Sequence, residues 1–332
     1  MKYLFLFFIL CSISNVHAQK KFEKYDNGNP KYKGKFKKGL SVGLHLAWYE
    51  NGNKKSEENY SKIGQKEGVQ SYWLENGTLI EEYTLTADSI KNGSCKMFYN
   101  DAQPKFEGTF KLGKPEGRHT NWFPNGNMKT KIHYKDGKFD GAYEEFWENG
   151  NKKLYIDYSD SVINGLYINY FENGNAEFQE SYNMEIPDGN WIVFFENGQK
   201  KIDETYSNGI KTGPYQSWYE NGQLESSGNM KNGLENDKWE TWHENGQLES
   251  TGTYIDNQAD GNWITYYQDG KIESKGNYVM DNKEGLWIWF YKNGNKRREG
   301  NYVNGKKNGS WKSFNKDGSV AKEYTFKDGK KI

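Results

Sequence analysis

Apolar and polar positions along this chain alternate in short runs broken by glycine, and no stretch sustains the 3.6-residue period of a helix. The pattern is clearest in residues 239–254, WETWHENGQLESTGTY: an aromatic-rich run to His243, a turn at Asn245-Gly246, and a return from Gln247 to Tyr254. Period-two alternation on both sides of Asn-Gly predicts a β-hairpin, read here as a two-residue type I′ turn with positive φ at both central residues. The unit recurs as WYENGQLESSGNM at residues 218–230 and as WFYKNGNKRREGNY at residues 289–302.

Turn glycines set the period. They fall at Gly28, Gly52, Gly77, Gly126, Gly150, Gly174, Gly198, Gly222, Gly246, Gly270, Gly294 and Gly318, every step from Gly126 onward being 24 residues. The 49-residue gap before Gly126 places a thirteenth turn at Asp101-Ala102. A second series (Gly43, Gly68, Gly93, Gly117, Gly141, Gly165, Gly189, Gly213, Gly261, Gly285 and Gly309) is assigned to the connections between hairpins, with Asp237 in the missing place. Two 25-residue steps put their extra residue in those connections, because loops absorb insertions that ladders do not.

Rings follow the same period. Trp48, Trp73, Trp218, Trp242 and their equivalents stand five residues after each connection glycine. A second series, Trp191, Trp239, Trp263, Trp287 and Trp311, stands two residues after it and belongs on the opposite sheet face. On the returning strand the eighth residue after each turn is apolar or aromatic, as in Phe36, Tyr254 and Phe326. Several units place glycine two residues earlier (Gly34, Gly108, Gly228, Gly252, Gly276, Gly300), where a bare Cα lets a ring lie across the backbone. The expected fold class is all-β: an elongated antiparallel β-meander or solenoid of about 13 hairpin repeats of 24–25 residues, filling residues 19–332. At ~4.8 Å per strand, about 26 strands would run on the order of 120 Å.

Composition fits an array. Aromatics reach 17%, and 37 glycines stand against six prolines in 332 residues. Formal charge is zero, 45 basic against 45 acidic side chains, read as alternating closely along the chain; no basic face for nucleic acid is expected. Residues 1–18 read as a signal peptide, with Lys2, an apolar run, and Val16-His17-Ala18 as the cleavage site. A lipoprotein reading centred on Cys11 is weaker, since Leu10 stands where a small residue is expected. Export to the periplasm, outer surface or medium follows, with no transmembrane segment after cleavage and Cys95 as the single remaining thiol.

Segments such as Gly300-Asn301-Tyr302-Val303-Asn304-Gly305-Lys306-Lys307-Asn308-Gly309 resemble the MORN repeat, and the longer ENGQLES unit is similar to the bacterial MORN-variant group labelled the YwqK family of antitoxins. That resemblance implies an extended antiparallel sheet acting as a scaffold or binding surface, and its antitoxin label implies inhibition of a partner toxin.

No catalytic constellation emerges. His45 and His119 occupy one strand position three units apart, too distant to share a metal, and read as ring replacements. Glu50, Glu75, Glu148, Glu172, Glu196, Glu220 and Glu244 recur with the architecture, which suits strand-end solubility better than a paired-carboxylate active site. Cys95 reads as a small buried hydrophobe. The expected function is a non-enzymatic exported scaffold without cofactor or metal. It would bind another protein through an aromatic surface, with a cell-envelope glycan as the second partner class. The tentative binding residues are Trp191, Trp239, Trp263, Trp287 and Trp311, and Trp263→Ala and Trp287→Ala would weaken binding without unfolding the sheet. The shape expectation has a direct check. Solution scattering should give a radius of gyration well above the ~20 Å of a compact chain of this length; a value near 20 Å would overturn the array.

Overall fold

The computed structural model describes residues 18–332, so the signal-peptide expectation, Cys11 included, falls outside the described residues except for Ala18. The described residues form 27 strands and no helix, and hence no helix long and apolar enough to cross a membrane. Two units are distinguishable, divided after Gly141 within the strand Lys138–Phe146. The first opens with β1 (Gln19–Lys24), β2 (Pro30–Lys37) and β3 (Leu40–Trp48), each antiparallel to its predecessor, and continues in that manner to Met128–Lys135. The second is likewise a meander, from Lys152–Ser159 to Val320–Lys327 with a short Lys330–Lys331 strand behind it. The all-β hairpin-repeat reading holds in both.

Two turn types alternate, and they are distributed differently from the expectation. The Asn-Gly turns are three-residue loops. His243 N donates to Gln247 O and Gly246 N to His243 O, both at 2.8 Å, so Glu244-Asn245-Gly246 forms the loop. Only the glycine lies at positive φ: the twelve turn glycines cluster between 80° and 95°. This is a type I turn closed by a left-handed residue. The two-residue turns with two positive φ values lie at the other connection, as at Asn208-Gly209 (49° and 81°) and Asp256-Asn257 (49° and 67°). Where the period lengthens to 25, the extra residue enlarges this second turn to three residues. Ser61 N then donates to Gln65 O (2.7 Å) and Thr86 N to Ile90 O (2.8 Å).

Asparagine at the three-residue loop acts through its side chain. Asn221 Oδ1 accepts from Gln223 N (2.9 Å), while its Nδ2 donates to the carbonyl of Glu244 one repeat on (2.9 Å). The same clasp joins Asn173 to Glu196, Asn197 to Glu220 and Asn245 to Gln268. Where Asp269 has no such donor, Lys271 Nζ reaches the carbonyl of Lys292 instead (2.9 Å).

Ala102 adopts the left-handed conformation anyway, at φ 69°. A Cβ there costs about 1–2 kcal/mol. Ala102→Gly should therefore leave the melting temperature unchanged or raise it. Gly246→Val should lower it by several degrees, since a β-branched residue is strained at φ 81° and its Cβ would lie 2.6 Å from Gln223 Oε1. A fall in melting temperature for Ala102→Gly would contradict this account.

Candidate binding surface

The second glycine series does not form the connections. It lies inside the strands, at a bulge. In the pairing of Ile272–Val279 with Asn282–Phe290, Lys275 faces Ile288 and Asn277 faces Glu284, so Gly285, Leu286 and Trp287 together oppose Gly276. Gly285 takes φ 66°, and Asp237 at the equivalent place takes 63°. The bulge turns the Trp287 ring back over Gly276, where an added Cβ would lie 2.1 Å from the indole. The indole Nε1 then donates to the carbonyl of Asn277 at 3.0 Å. Trp263 repeats the bond to Thr253 O (3.2 Å) and Trp311 to Asn301 O (3.1 Å), each over its own glycine.

These rings interlock with the returning-strand series. Tyr254, Trp263, Tyr278, Trp287, Tyr302, Trp311 and Phe326 form an unbroken run of near-perpendicular contacts at 4.9–6.5 Å between ring centres. Lys283 lies 4.3 Å from the centre of Trp287, and Arg298 lies 4.0 Å from Trp289. Burial, followed by the neighbouring Arg298 charge, pushes the Lys283 pKa down.

Of the five tryptophans expected to bind, Trp239, Trp287 and Trp311 are buried, at 7%, 3% and 3% exposure, while Trp191 and Trp263 are half-buried. The three buried rings present almost no face to a ligand. Removing the Trp287 ring would open a cavity and leave the Asn277 carbonyl without its indole donor, so Trp287→Ala should weaken the sheet itself. Trp239 departs from the pattern. Its ring lies tilted against Tyr215 (5.5 Å between centres), and its buried Nε1 has no partner among the described residues.

The MORN repeat variant pattern matches eight segments, residues 42–62, 115–136, 187–208, 211–232, 238–256, 259–280, 283–304 and 307–328, over half the chain. The chain belongs to the MORN repeat variant family. The 259–280 MORN segment contains the bulge glycine Gly261, Trp263 and Gly276, and the 283–304 segment supplies Trp287, whose ring lies over that Gly276. No curated protein matches the sequence. Among solved structures, the TcdB2-TccC3-Cdc42 crystal structure is similar at 12% identity over 86% of this chain and 19% of that one, with a TM-score of 0.21. The TcdB2-TccC3 crystal structure is similar at 12% over 93% and 23%, with a TM-score of 0.21. The chain spans about a fifth of those chains, and likeness at that level carries no argument about function.

Three units without tryptophan preserve its bond with other side chains. His45 Nε2 pairs with Lys35 O (2.9 Å) and His119 Nε2 with Thr109 O (2.7 Å), each ring over a glycine, as ring-replacing histidines should. Gln70, fully buried, donates its amide to Asn59 O at 3.0 Å. In that unit Glu58 replaces the glycine. Burial alone would raise its pKa, but donors on Lys66 (2.7 Å), Tyr72 (2.8 Å) and Tyr60 (2.9 Å) outweigh burial and hold the carboxyl below its usual range. Cys95 is 1% exposed, and burial pushes its thiol pKa up, as befits a packing residue. Tyr83 stands in the glycine place opposite it, so large and small have exchanged positions. Among the described residues no group of three or more His, Cys, Asp or Glu could hold a metal.

What remains exposed is a patterned pair of edges. On the three-residue turns, Glu172, Glu196, Glu220 and Glu244 are exposed at 24-residue spacing. On and beside the two-residue turns of the second unit the exposed side chains include the aliphatics Met184 (55%), Ile186 (49%), Ile210 (51%), Ile255 (43%), Val279 (48%) and Val303 (44%), interspersed with exposed polar residues such as Glu185, Asn208, Asp256 and Asp281. The Cβ positions of Gly209 and Gly233 lie 3.6 and 4.0 Å from Ile186 and Ile210 Cγ2, so each aliphatic leans on the next MORN unit. Nor do the charges alternate on the scale of the units. Residues 142–260 hold 22 acidic against 7 basic side chains, and residues 261–332 hold 8 against 15.

Two outcomes follow from the ring–glycine contact. Gly276→Ala should destabilise the chain by several kcal/mol, because the indole cannot retreat without breaking its bond to Asn277. Thermal unfolding of Gly276→Ala beside Gly233→Ala, which adds a Cβ with no contact closer than 4.0 Å, separates this clash from positive-φ strain. Burial also lowers the His119 pKa from 6.5. A neutral His119 is required in the folded state, so its stabilisation is complete above pH 6.5 and is lost as pH falls from there through the folded pKa. His119→Trp should flatten part of the melting-temperature loss between about pH 7.5 and 5, and an unchanged profile would count against a buried neutral ring.

Proposed function

We propose that this MORN-variant chain is a non-enzymatic scaffold that binds another protein along the aliphatic turn edge of its second unit. The carrying observation is the exposed series Ile186, Ile210, Val279 and Val303 on a repeating frame whose tryptophans are committed to packing. Exposed aliphatics recurring along one edge mark a candidate interaction surface. Two strands per repeat space equivalent residues by roughly 10 Å, which suits an elongated partner touching several repeats. Binding is placed on the edge rather than on the aromatic ladder. A toxin, as the antitoxin resemblance implies, is one candidate protein partner. A glycan reading would draw on the half-buried Trp191 and Trp263. Export rests on the signal-like residues 1–18 and is tested by fractionating the producing cells.

Co-purification from the cell envelope with the doubly substituted Ile186→Lys, Ile210→Lys chain tests the proposal. Recovery of a stoichiometric protein partner should fall at least tenfold while the melting temperature stays within a few degrees, a tenfold change being about 1.4 kcal/mol. Undiminished recovery would remove the edge from consideration. Glycan binding lost on Trp263→Ala in a folded chain would favour the second reading.

A further inference from the structure

The strongest unassigned feature lies at the start of the first unit. Residues 19–42 hold eight lysines against Glu23 and Asp26, in a chain whose formal charge is zero. Across β1 and β2, Lys20 faces Lys35 and Phe22 faces Lys33, so strand alternation places all four on one side of the sheet. Together with Lys21, Gly34 and Leu44 they line a groove of ≈ 480 Å³. Phe22 and Leu44 are exposed there, at 56% and 45%. Lys21 is paired with Glu23 at 2.7 Å, whereas Lys20, Lys33 and Lys35 have no carboxylate partner among the described residues.

The opposite charge is present in the same molecule. Residues 142–260 carry a net charge of −15, from 22 acidic and 7 basic side chains, with Glu172, Glu196 and Glu220 exposed in register on successive turns. We propose that the lysine-lined groove of β1 and β2 docks on this acidic stretch of a second copy of the chain, with Phe22 and Leu44 as the apolar centre of the contact. Opposite blocks within a chain of zero net charge attract between copies although the whole molecule carries no charge to attract anything. The strands at the two ends of the described residues argue against the other self-contact, end-to-end pairing. Gln19–Lys24 carries Lys20, Lys21 and Lys24, and the last eight-residue strand, Val320–Lys327, lies in a stretch of net charge +7. Like charge on both edges opposes their pairing.

The proposal is independent of the protein-binding edge in the second unit, because its test uses only the purified chain. Sedimentation velocity at tens of micromolar should show a dimer or larger species at about 20 mM ionic strength. That species should dissociate at about 0.5 M, where the Debye length is only a few ångströms. The Lys20→Glu, Lys33→Glu, Lys35→Glu chain should remain monomeric at low salt, and so should the Glu172→Lys, Glu196→Lys, Glu220→Lys chain. Mixing the two should restore association, because each supplies the charge the other lost. Circular dichroism confirms that each is folded, and Lys→Gln at the same three positions repeats the first arm with gentler changes. A wild-type chain monomeric at low salt, an association that survives 0.5 M salt and both charge reversals, or folded reversal variants that fail to recombine would each overturn it. Monomeric wild type that instead sediments with an added polyanion would assign the groove to a foreign acidic partner.

Discussion

A sheet one layer thick has no opposite layer to bury its apolar side chains against, and this chain answers that constraint by folding rings onto its own backbone. The bulge at Gly285 is what makes the contact possible: it opposes three residues to one, turns Trp287 back across the sheet, and leaves the Asn277 carbonyl to the indole N–H. Hydrophobic burial and a hydrogen bond are thus supplied by one side chain. An indole buries on the order of 200 Å², about 5 kcal/mol before the entropy of ordering is subtracted. In so aliphatic-poor a chain, such contacts build the buried cluster of Trp287, Trp289 and Trp311, with Tyr278, Tyr302, Tyr324 and Phe326 packed against it.

The donor matters as much as the ring. His45, His119 and Gln70 differ from tryptophan in size and polarity, yet each points a nitrogen at the carbonyl one residue past the glycine place. An unpaired carbonyl under a buried side chain would cost about 1–3 kcal/mol, enough to select for a donor even where an aromatic is absent. Where the glycine itself is missing, as at Glu58, the replacement brings its own partners in Lys66, Tyr60 and Tyr72. At the turns a side-chain amide plays the corresponding part between neighbours, as when Asn221 holds the Glu244 carbonyl. Successive repeats are therefore tied at three levels: the strand ladder, the ring run and the turn clasp.

The fold was legible because its signals are local and repeat. Glycine spacing located all thirteen turns, including the one at Ala102, and the 25-residue steps correctly located the enlarged loops. Turn type was misjudged because Asn-Gly satisfies two geometries. The choice at Asn245 is made by the Glu244 before it joining the loop, which a dipeptide does not disclose. The Gly43 series was placed in the connections because positive φ is common there; inside a strand it marks a bulge, and only the pairing shows which. The ring and glycine series were each visible, but their contact joins residues eleven apart on adjacent strands, as in Gly276 and Trp287, and period alone cannot say which ring covers which glycine. That gap hid the burial of Trp239, Trp287 and Trp311. The aliphatic edge was hidden for the opposite reason: Ile186, Ile210 and Val279 are ordinary strand residues until their exposure is known.

Tyr83 and Cys95 give the array a historical dimension. In six units glycine lies on the returning strand and the larger residue on the next; here large and small have traded places, and the site is still filled to 1% exposure at Cys95. Neither half of that exchange is harmless alone. Starting from glycine under tryptophan, enlarging the first residue collides with the ring, and shrinking the second leaves a void. Such a pair can drift only through a weakened intermediate, and neighbouring repeats must carry the sheet while it passes. An array of near-identical joints is suited to that, since each unit leans chiefly on the two beside it. Redundancy of this kind lets individual units acquire histidine, glutamine, glutamate or cysteine at their centres while the frame that displays the edges stays the same.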